Sequence, residues 1–126
     1  VWHRLDAWPD SVAGLTRLKT RFTIASLSNG NIGLLTNMAK RAGLPWDCVL
    51  SAEVFRAYKP DPRTYLGVAE VFDVSPAQVM LVAAHQDDLD AARADGASRP
   101  ISMPFFCSDA GGVSFLRVTV IFVGLL

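Results

Sequence analysis

The sequence predicts an α/β fold in which a parallel sheet carries helices on its faces. Short apolar runs alternate with amphipathic helical segments at least three times, which is the pattern of β–α–β units. Candidate polar side chains lie beyond the end of each apolar run, and sheets of this kind bind ligands at the carboxyl ends of their strands. A chain of 126 residues, 51% of them hydrophobic, is long enough for one domain with a sizeable core.

The first half of the chain is predicted to form helix, strand, helix and strand. Apolar residues three and four apart indicate a helix, and a polar residue before them can cap its beginning. A short apolar run indicates a buried strand, and glycine favours the end of a helix. The elements are a helix capped by Asp10 with Val12, Leu15 and Leu18 on one face, a strand over residues 21–28, a helix with Ile32, Leu35, Met38 and Ala42 that ends at Gly43, and a strand within residues 47–53.

The second half repeats the alternation. Its first helix has apolar residues at i, i+3, i+4 and i+7, and a serine three residues before a glutamine forms a capping box. The elements are a helix with Tyr65, Val68, Ala69 and Phe72, a brief helical turn begun by Ser75 and Gln78, a strand over residues 79–84, and a helix over residues 89–95 closed by Gly96.

Charge, cysteine content and the tail narrow the class of protein. Basic and acidic residues balance, so the chain lacks the positive field that nucleic acid requires. Cys48 and Cys107 form no metal or redox pattern and fit a reducing cytoplasm. The apolar residues 113–126 are fewer than the roughly 20 that a spanning helix needs, and their composition favours a buried strand. We expect a cytoplasmic protein without nucleic-acid or membrane partners.

Two polar residues follow the first predicted strand, at a strand-to-helix turn. Ser28 and Asn29 offer a hydroxyl and an amide there, and the next helix adds backbone N–H donors and a partial positive charge. These groups together suit a carboxylate or a phosphate. The alternative interpretation is that either side chain only caps the helix.

Lys59 lies in the stretch AYKPDP, between an aromatic residue and two prolines. Pro60 disfavours the helical region for Lys59, and Pro62 is expected in the first turn of the next helix. The ammonium is therefore predicted to project from a stiff loop, where it could keep a carboxylate ionised and stabilise an anionic substrate. A turn lysine in water is the alternative.

The third polar cluster, His85 to Asp88, follows the strand over residues 79–84. Neighbouring residues of a helix point in different directions, so only one of Asp87 and Asp88 can easily face the strand ends. His85 could act as an acid, a base or a hydrogen-bond donor, or it could be a structural residue.

These clusters together resemble the haloacid dehalogenase superfamily. The stretches LSNGN, AYKPDPRTY and LVAAHQDDLDAARADG are similar to those of its type II members, which act on L-2-haloacids, and the resemblance extends roughly over residues 2–96. It implies a Rossmann-like three-layer core with a helical cap inserted after the first strand. It also implies that an aspartate on that strand displaces halide from C2 of a small 2-haloacid, forming an ester that water hydrolyses to a 2-hydroxyacid.

The resemblance also implies the site residues. Ser28, Asn29, Lys59 and Asp88 match family motifs and are expected to be catalytic, whereas His85 stands where the type II dehalogenases have asparagine. Superfamily phosphatases that use magnesium carry an extra aspartate after the third strand. This chain has Ala83–Ala84 in that region, and alanine cannot bind a hard cation, so we expect neither a metal nor another cofactor.

Two departures from the family pattern shape the expected organisation. The first motif, with its nucleophilic aspartate, is absent, and the pattern dissolves after Gly96. We expect residues 1–10 to be the exit from a missing cap, 11–98 the core and 99–126 a divergent apolar tail, with a homodimer possible. The isolated chain is expected to be inactive, and a tail strand could partly fill the gap in the sheet. A non-catalytic truncated product and a superfamily phosphatase are the alternatives.

Overall fold

A computed structural model of the chain describes residues 3, 6–83, 85–97, 101–102 and 118–123. Helices and strands alternate along the chain as the sequence predicts. In chain order, the elements are α1 (Ser11–Lys19), β1 (Thr23–Ser28), α2 (Ile32–Ala42), β2 (Cys48–Ser51), α3 (Ala52–Phe55), α4 (Pro62–Val71), a 3-10 turn (Pro76–Gln78), β3 (Val79–Ala83), α5 (Gln86–Ala94), β4 (Ile101–Ser102) and β5 (Val118–Val123).

The five strands form one sheet in the order β2-β1-β5-β3-β4. β1 pairs in parallel with β2, and β3 pairs in parallel with β4. β5 is antiparallel to both β1 and β3, so β1 and β3 run in the same direction. Val120 of β5 is the partner of both Ser26 and Val82, which places the carboxyl ends of β1 and β3 at the same edge of the sheet.

The core lies on both faces of the sheet, because successive strand residues point to opposite sides. Ala25 and Leu27 of β1 are fully buried in a cluster with side chains of α4 and α5. Ile24, which precedes Ala25 in β1 and so points to the other face, packs in a second cluster with Leu15 and Leu18 of α1. Helices thus cover both faces, and the predicted α/β class with a three-layer core is confirmed.

β5 adds a feature that the prediction of a parallel sheet did not include. All six of its residues pair with β1, from Thr23↔Val123 to Ser28↔Val118. It therefore lies in the interior of the sheet, where it separates the two parallel pairs of strands. A strand from the tail of the chain therefore lies between β1 and β3.

Several element ends differ from the sequence prediction. Residues 52–55 form α3, although residues 52 and 53 were predicted within a strand, because the Ser51 hydroxyl accepts the N–H of Glu53 and begins a helical turn. Asp10 occupies the N-cap position of α1, but its side chain makes no capping hydrogen bond. α5 begins at Gln86, three residues before the predicted start.

Some sequence-based expectations lie outside the described residues, among them those on Cys107 and Ala84 and most of the segment 99–126. Within the described part of the chain, no helix is both long enough and apolar enough to cross a bilayer.

Candidate active site

Ser28 is the last residue of β1 and is fully buried. Its Oγ accepts the N–H of Gly30 at 3.1 Å, which closes a serine turn between β1 and α2. The hydroxyl is therefore fixed at the carboxyl edge of the sheet, which is the edge at which parallel sheets bind ligands.

Lys59 reaches this edge from a loop, and Asp88 reaches it from the beginning of α5. The Lys59 Nζ donates to Asp88 Oδ2 at 2.8 Å, and the two side chains are 2% and 5% exposed. Asp88 lies in the first turn of α5, where the helix N-terminus favours a carboxylate. A buried ammonium and carboxylate each require an opposite charge, so the position of one side chain determines that of the other.

Tyr65 of α4 completes the bonding of the Asp88 carboxylate. Its phenol donates to Asp88 Oδ1 at 2.9 Å, so that both carboxylate oxygens accept a hydrogen bond. Burial, followed by the charge of Asp88 and the hydrogen bond to it, raises the pKa of Tyr65 well above its usual value of about 10. Tyr65 therefore remains a donor throughout the physiological pH range.

Asn29 is exposed and contacts the backbone of Lys59. Its Oδ1 accepts the Lys59 N–H at 2.7 Å, and its Nδ2 donates to the Lys59 carbonyl at 3.2 Å. The loop that carries Lys59 is thereby joined to the end of β1. The peptide bond from Lys59 to Pro60 is cis.

The N-terminus of α2 is bonded to side chains of the protein itself. The carboxylate of Glu53 accepts the N–H of Ile32 at 2.8 Å, and the Asn31 side chain accepts that of Leu34 at 2.8 Å. The helix cap is therefore Asn31, and neither Ser28 nor Asn29 takes that role. Glu53 also brings a negative charge to the helix end at which the sequence suggested an anion would bind.

The remaining predicted residues lie around α5. Asp88 is buried and Asp87 is exposed, which agrees with the expectation that only one of the two faces inward. His85 takes the N-cap position of α5 with an extended backbone, is half-buried, and makes no side-chain capping bond. The structure thus brings Asn29, Lys59 and Asp88 together, with Ser28 beside Asn29 in the chain.

A small cavity of about 10 Å³ has Tyr65 in its wall and is lined mainly by apolar side chains. None of Ser28, Lys59 and Asp88 lines it. Across the described ranges, no group of three His, Cys, Asp or Glu side chains is arranged to hold a metal ion.

Two contributors were not identified from the sequence. The sequence pattern places Tyr65 in the apolar stripe of its helix. Its position near the beginning of α4 is nevertheless a usable signal, because helical side chains point back toward the N-terminus and hence toward the Lys59 loop. Glu53 was placed in a strand, so its contact with α2 could not be anticipated.

The ion pair and the Ser28 hydroxyl both lie toward the carboxyl edge of the sheet. Comparison with known proteins gives this geometry a family context. The model of the haloacid dehalogenase-like hydrolase family matches residues 1–96. (S)-2-haloacid dehalogenase 1 of Pseudomonas sp. strain CBS-3 is 38% identical over 99 residues, which are 76% of this chain and 44% of that protein.

Solved structures give the same result. A crystal structure of an L-2-haloacid dehalogenase is 51% identical with a TM-score of 0.76, covering 80% of this chain and 45% of that one. The enzyme from Xanthobacter autotrophicus, solved with chloropropionic acid covalently bound, is 35% identical with a TM-score of 0.68, covering 76% and 40%. The chain thus spans less than half of the length of these relatives. It belongs to the haloacid dehalogenase-like hydrolase family.

Proposed function

We propose that the protein to which this chain belongs cleaves the carbon–halogen bond of a small 2-haloacid and releases a 2-hydroxyacid. The observation that carries the proposal is the buried Lys59–Asp88 ion pair beside the end of β1. An ammonium held in this way can favour the ionised form of a neighbouring carboxylate and stabilise negative charge on a substrate. The relatives named above act on substrates of this class according to their names.

The reaction proceeds in two steps. An aspartate oxygen attacks C2 of the haloacid with inversion, the carbon–halogen bond breaks, and the halide leaves with its electron pair. Water then adds to the acyl carbon of the resulting ester, which releases the 2-hydroxyacid, the aspartate carboxylate and a proton. The covalently bound chloropropionic acid in the Xanthobacter autotrophicus enzyme supports a covalent first step.

The residues of this chain supply the surroundings of that chemistry. Ser28 offers its hydroxyl to the substrate carboxylate, and Lys59 provides the positive charge. Asp88 and Tyr65 hold the Lys59 ammonium in place. The attacking aspartate comes from a segment beyond this chain, so the chain alone gives no turnover. Residues 1–10 would be the exit from a cap and residues 11–98 the core, with 99–126 a divergent tail and no metal required.

Halide release tests the proposal directly. The chain is compared with a longer protein in which a first strand ending in aspartate and a cap precede residue 1, using a 2-chloroacid. We expect the longer protein to release halide and the short chain to release none. Halide release by the short chain would show that the reaction does not need an aspartate from outside this chain. In the longer protein, Asp88→Asn should abolish turnover, whereas Asp87→Asn, at the exposed neighbour, should retain it.

Two further measurements address the alternative functions. Hydrolysis of a phosphate ester that depends on magnesium, without halide release, would favour a phosphatase. A chain without catalytic function is favoured by one observation, the presence of β5 between β1 and β3, which completes the sheet without another segment. If the short chain unfolds in one cooperative thermal transition, and if it shows no activity when mixed with the first strand and cap, a non-catalytic role would be supported. Size-exclusion chromatography would also show whether the proposed homodimer forms.

A further inference from the structure

A single side chain satisfies both backbone polar groups of Lys59. The Asn29 amide accepts the Lys59 N–H at 2.7 Å and donates to the Lys59 carbonyl at 3.2 Å, across 30 residues of sequence. This is the pairing that a neighbouring strand would provide, made here by one planar group. Two hydrogen bonds on opposite sides of one residue restrain both its position and its rotation, whereas one bond would leave rotation free.

Lys59 is therefore held at both ends. Its backbone is bonded to Asn29, and its ammonium is bonded to Asp88 at 2.8 Å. Further along the loop, the N–H of Asp61 donates to the carbonyl of Tyr58, and the Asp61 side chain caps α4 at Arg63. These contacts fix the chain after Lys59, whereas the hydrogen bonds of Asn29 act on the backbone of Lys59 itself.

We propose that Asn29 is a positioning residue, which orients the Lys59 ammonium through the Lys59 backbone. Its importance for turnover rests on the proposed function, but its effect on Lys59 does not. The role requires an acceptor and a donor in one rigid plane, which asparagine has and the isosteric aspartate lacks. Aspartate could still accept the Lys59 N–H, but it would leave the carbonyl without its present partner.

Asn29 is a favourable position for mutation. Its side chain is exposed, so Asn29→Ala leaves no cavity in the core and the variant is expected to fold. Asn31, two residues later, provides the matched control. It also accepts a backbone N–H through Oδ1, that of Leu34 at 2.8 Å, but it caps α2 and does not contact the Lys59 loop.

The first measurement follows the Lys59 ammonium itself, by nitrogen-15 NMR of the side-chain NH₃⁺ group in the 126-residue chain, assigned with Lys59→Met. A buried, hydrogen-bonded ammonium exchanges slowly with water. Asn29→Ala and Asn29→Asp should both speed this exchange by about tenfold or more, because a displaced ammonium opens to solvent by local fluctuation. Asn31→Ala should lower the melting temperature and leave Lys59 exchange unchanged.

Two outcomes would overturn the positioning role. One is Lys59 exchange that is unaltered in Asn29→Ala and in Asn29→Asp. The other is an equal acceleration in Asn31→Ala, which would mean that Lys59 responds to general loss of stability. Because Asn29→Asp keeps the shape of asparagine, it decides the matter even if the alanine variant does not fold.

The second measurement uses the longer protein with its nucleophile and cap. A displacement of the ammonium by about 1 Å corresponds to a loss of about 100-fold in kcat, and KM should change much less. The same kcat and KM in Asn29→Ala as in the unmodified protein would contradict the role in turnover. Absence of halide release from the unmodified longer protein would instead refute the proposed function, and the exchange measurement would still decide the position of Lys59.

Discussion

Lys59 and Asp88 are 29 residues apart in the chain, yet their side chains form an ion pair at 2.8 Å with almost no exposure to solvent. A buried pair of this kind costs desolvation energy, which well-packed apolar residues would not incur. The fold therefore keeps a pair that stability alone does not favour, and this is consistent with a role in binding or chemistry.

The first prediction concerns the two ways of removing this pair. Lys59→Met or Asp88→Leu alone should reduce the free energy of unfolding by about 3–5 kcal/mol, because each leaves an uncompensated buried charge. The double variant should lose far less than the sum of the two. Urea unfolding of all four proteins measures the coupling. Asp90→Asn, which removes an exposed ion pair with Arg93, is the control and should change stability by less than about 1 kcal/mol. If the double variant lost as much free energy of unfolding as the two single variants together, the two side chains would not interact as a buried pair.

The second prediction concerns the phenol of Tyr65. Tyr65→Phe removes a hydrogen bond to a charged group and should cost about 1.5–3 kcal/mol at neutral pH. Because folding raises the pKa of Tyr65, this contribution is complete below pH of about 10 and is lost as the pH rises further toward the raised value. Stability curves of the two proteins should thus converge at alkaline pH. Tyr58→Phe, at an exposed tyrosine, should leave neutral-pH stability unchanged.

The third prediction concerns Asp61 at the beginning of α4. The Arg63 side chain, followed by the Arg63 N–H, lowers the pKa of Asp61 to about 2. Folding therefore depresses this pKa, so the carboxylate's contribution is present above pH of about 4 and is lost as the pH falls toward 2. Carbon-13 NMR of the carboxyl group should show the low midpoint. Arg63→Ala should raise the midpoint while the backbone bond keeps it below the ordinary value, and Arg93→Ala should leave it unaltered.

The fourth prediction compares two helical glycines. A Cβ on Gly67 of α4 would overlap the ring of Phe55, whereas one on Gly14 of α1 would meet nothing within 4 Å. Gly67→Ala should therefore destabilise the protein by about 1–3 kcal/mol through overpacking. Gly14→Ala should stabilise it by up to about 1 kcal/mol, the gain in helix propensity. Thermal unfolding distinguishes them, and a stabilising Gly67→Ala would show that the α3–α4 contact is loosely packed.

The alternation of helices and strands could be predicted because each element has a local signal. The helical spacing around Leu35 and the short apolar run that ends at Ser28 depend only on neighbouring residues. The four-residue helix α3 could not be predicted in this way, because it is shorter than any window in which helical spacing can be recognised. The direction of β5 was equally inaccessible, since an apolar strand has the same composition in either direction.

The residues of the site also divide into those that have a local sequence signal and those that have none. Polar residues at or shortly after the end of a strand, such as Ser28 and Asp88, are candidates from the sequence because parallel strands end at one edge. The partner of Tyr65 is 23 residues away, and its ring fits an apolar stripe as well as a polar network. Residue pairs of this kind depend on how helices pack across the sheet, and periodicity in one helix does not contain that information.

β5 has a consequence for the handling of longer proteins of this kind. It runs with Val118 beside Ser28 and Val123 beside Thr23, so a strand of the opposite direction could enter between β1 and β3 only by displacing it. The released hexapeptide, VTVIFV, is uncharged and rich in β-branched residues, which is the composition of segments that assemble into cross-β fibrils. A protein that receives such an incoming strand therefore needs another location for these six residues. If they remained exposed, the colloidal stability of the protein would fall.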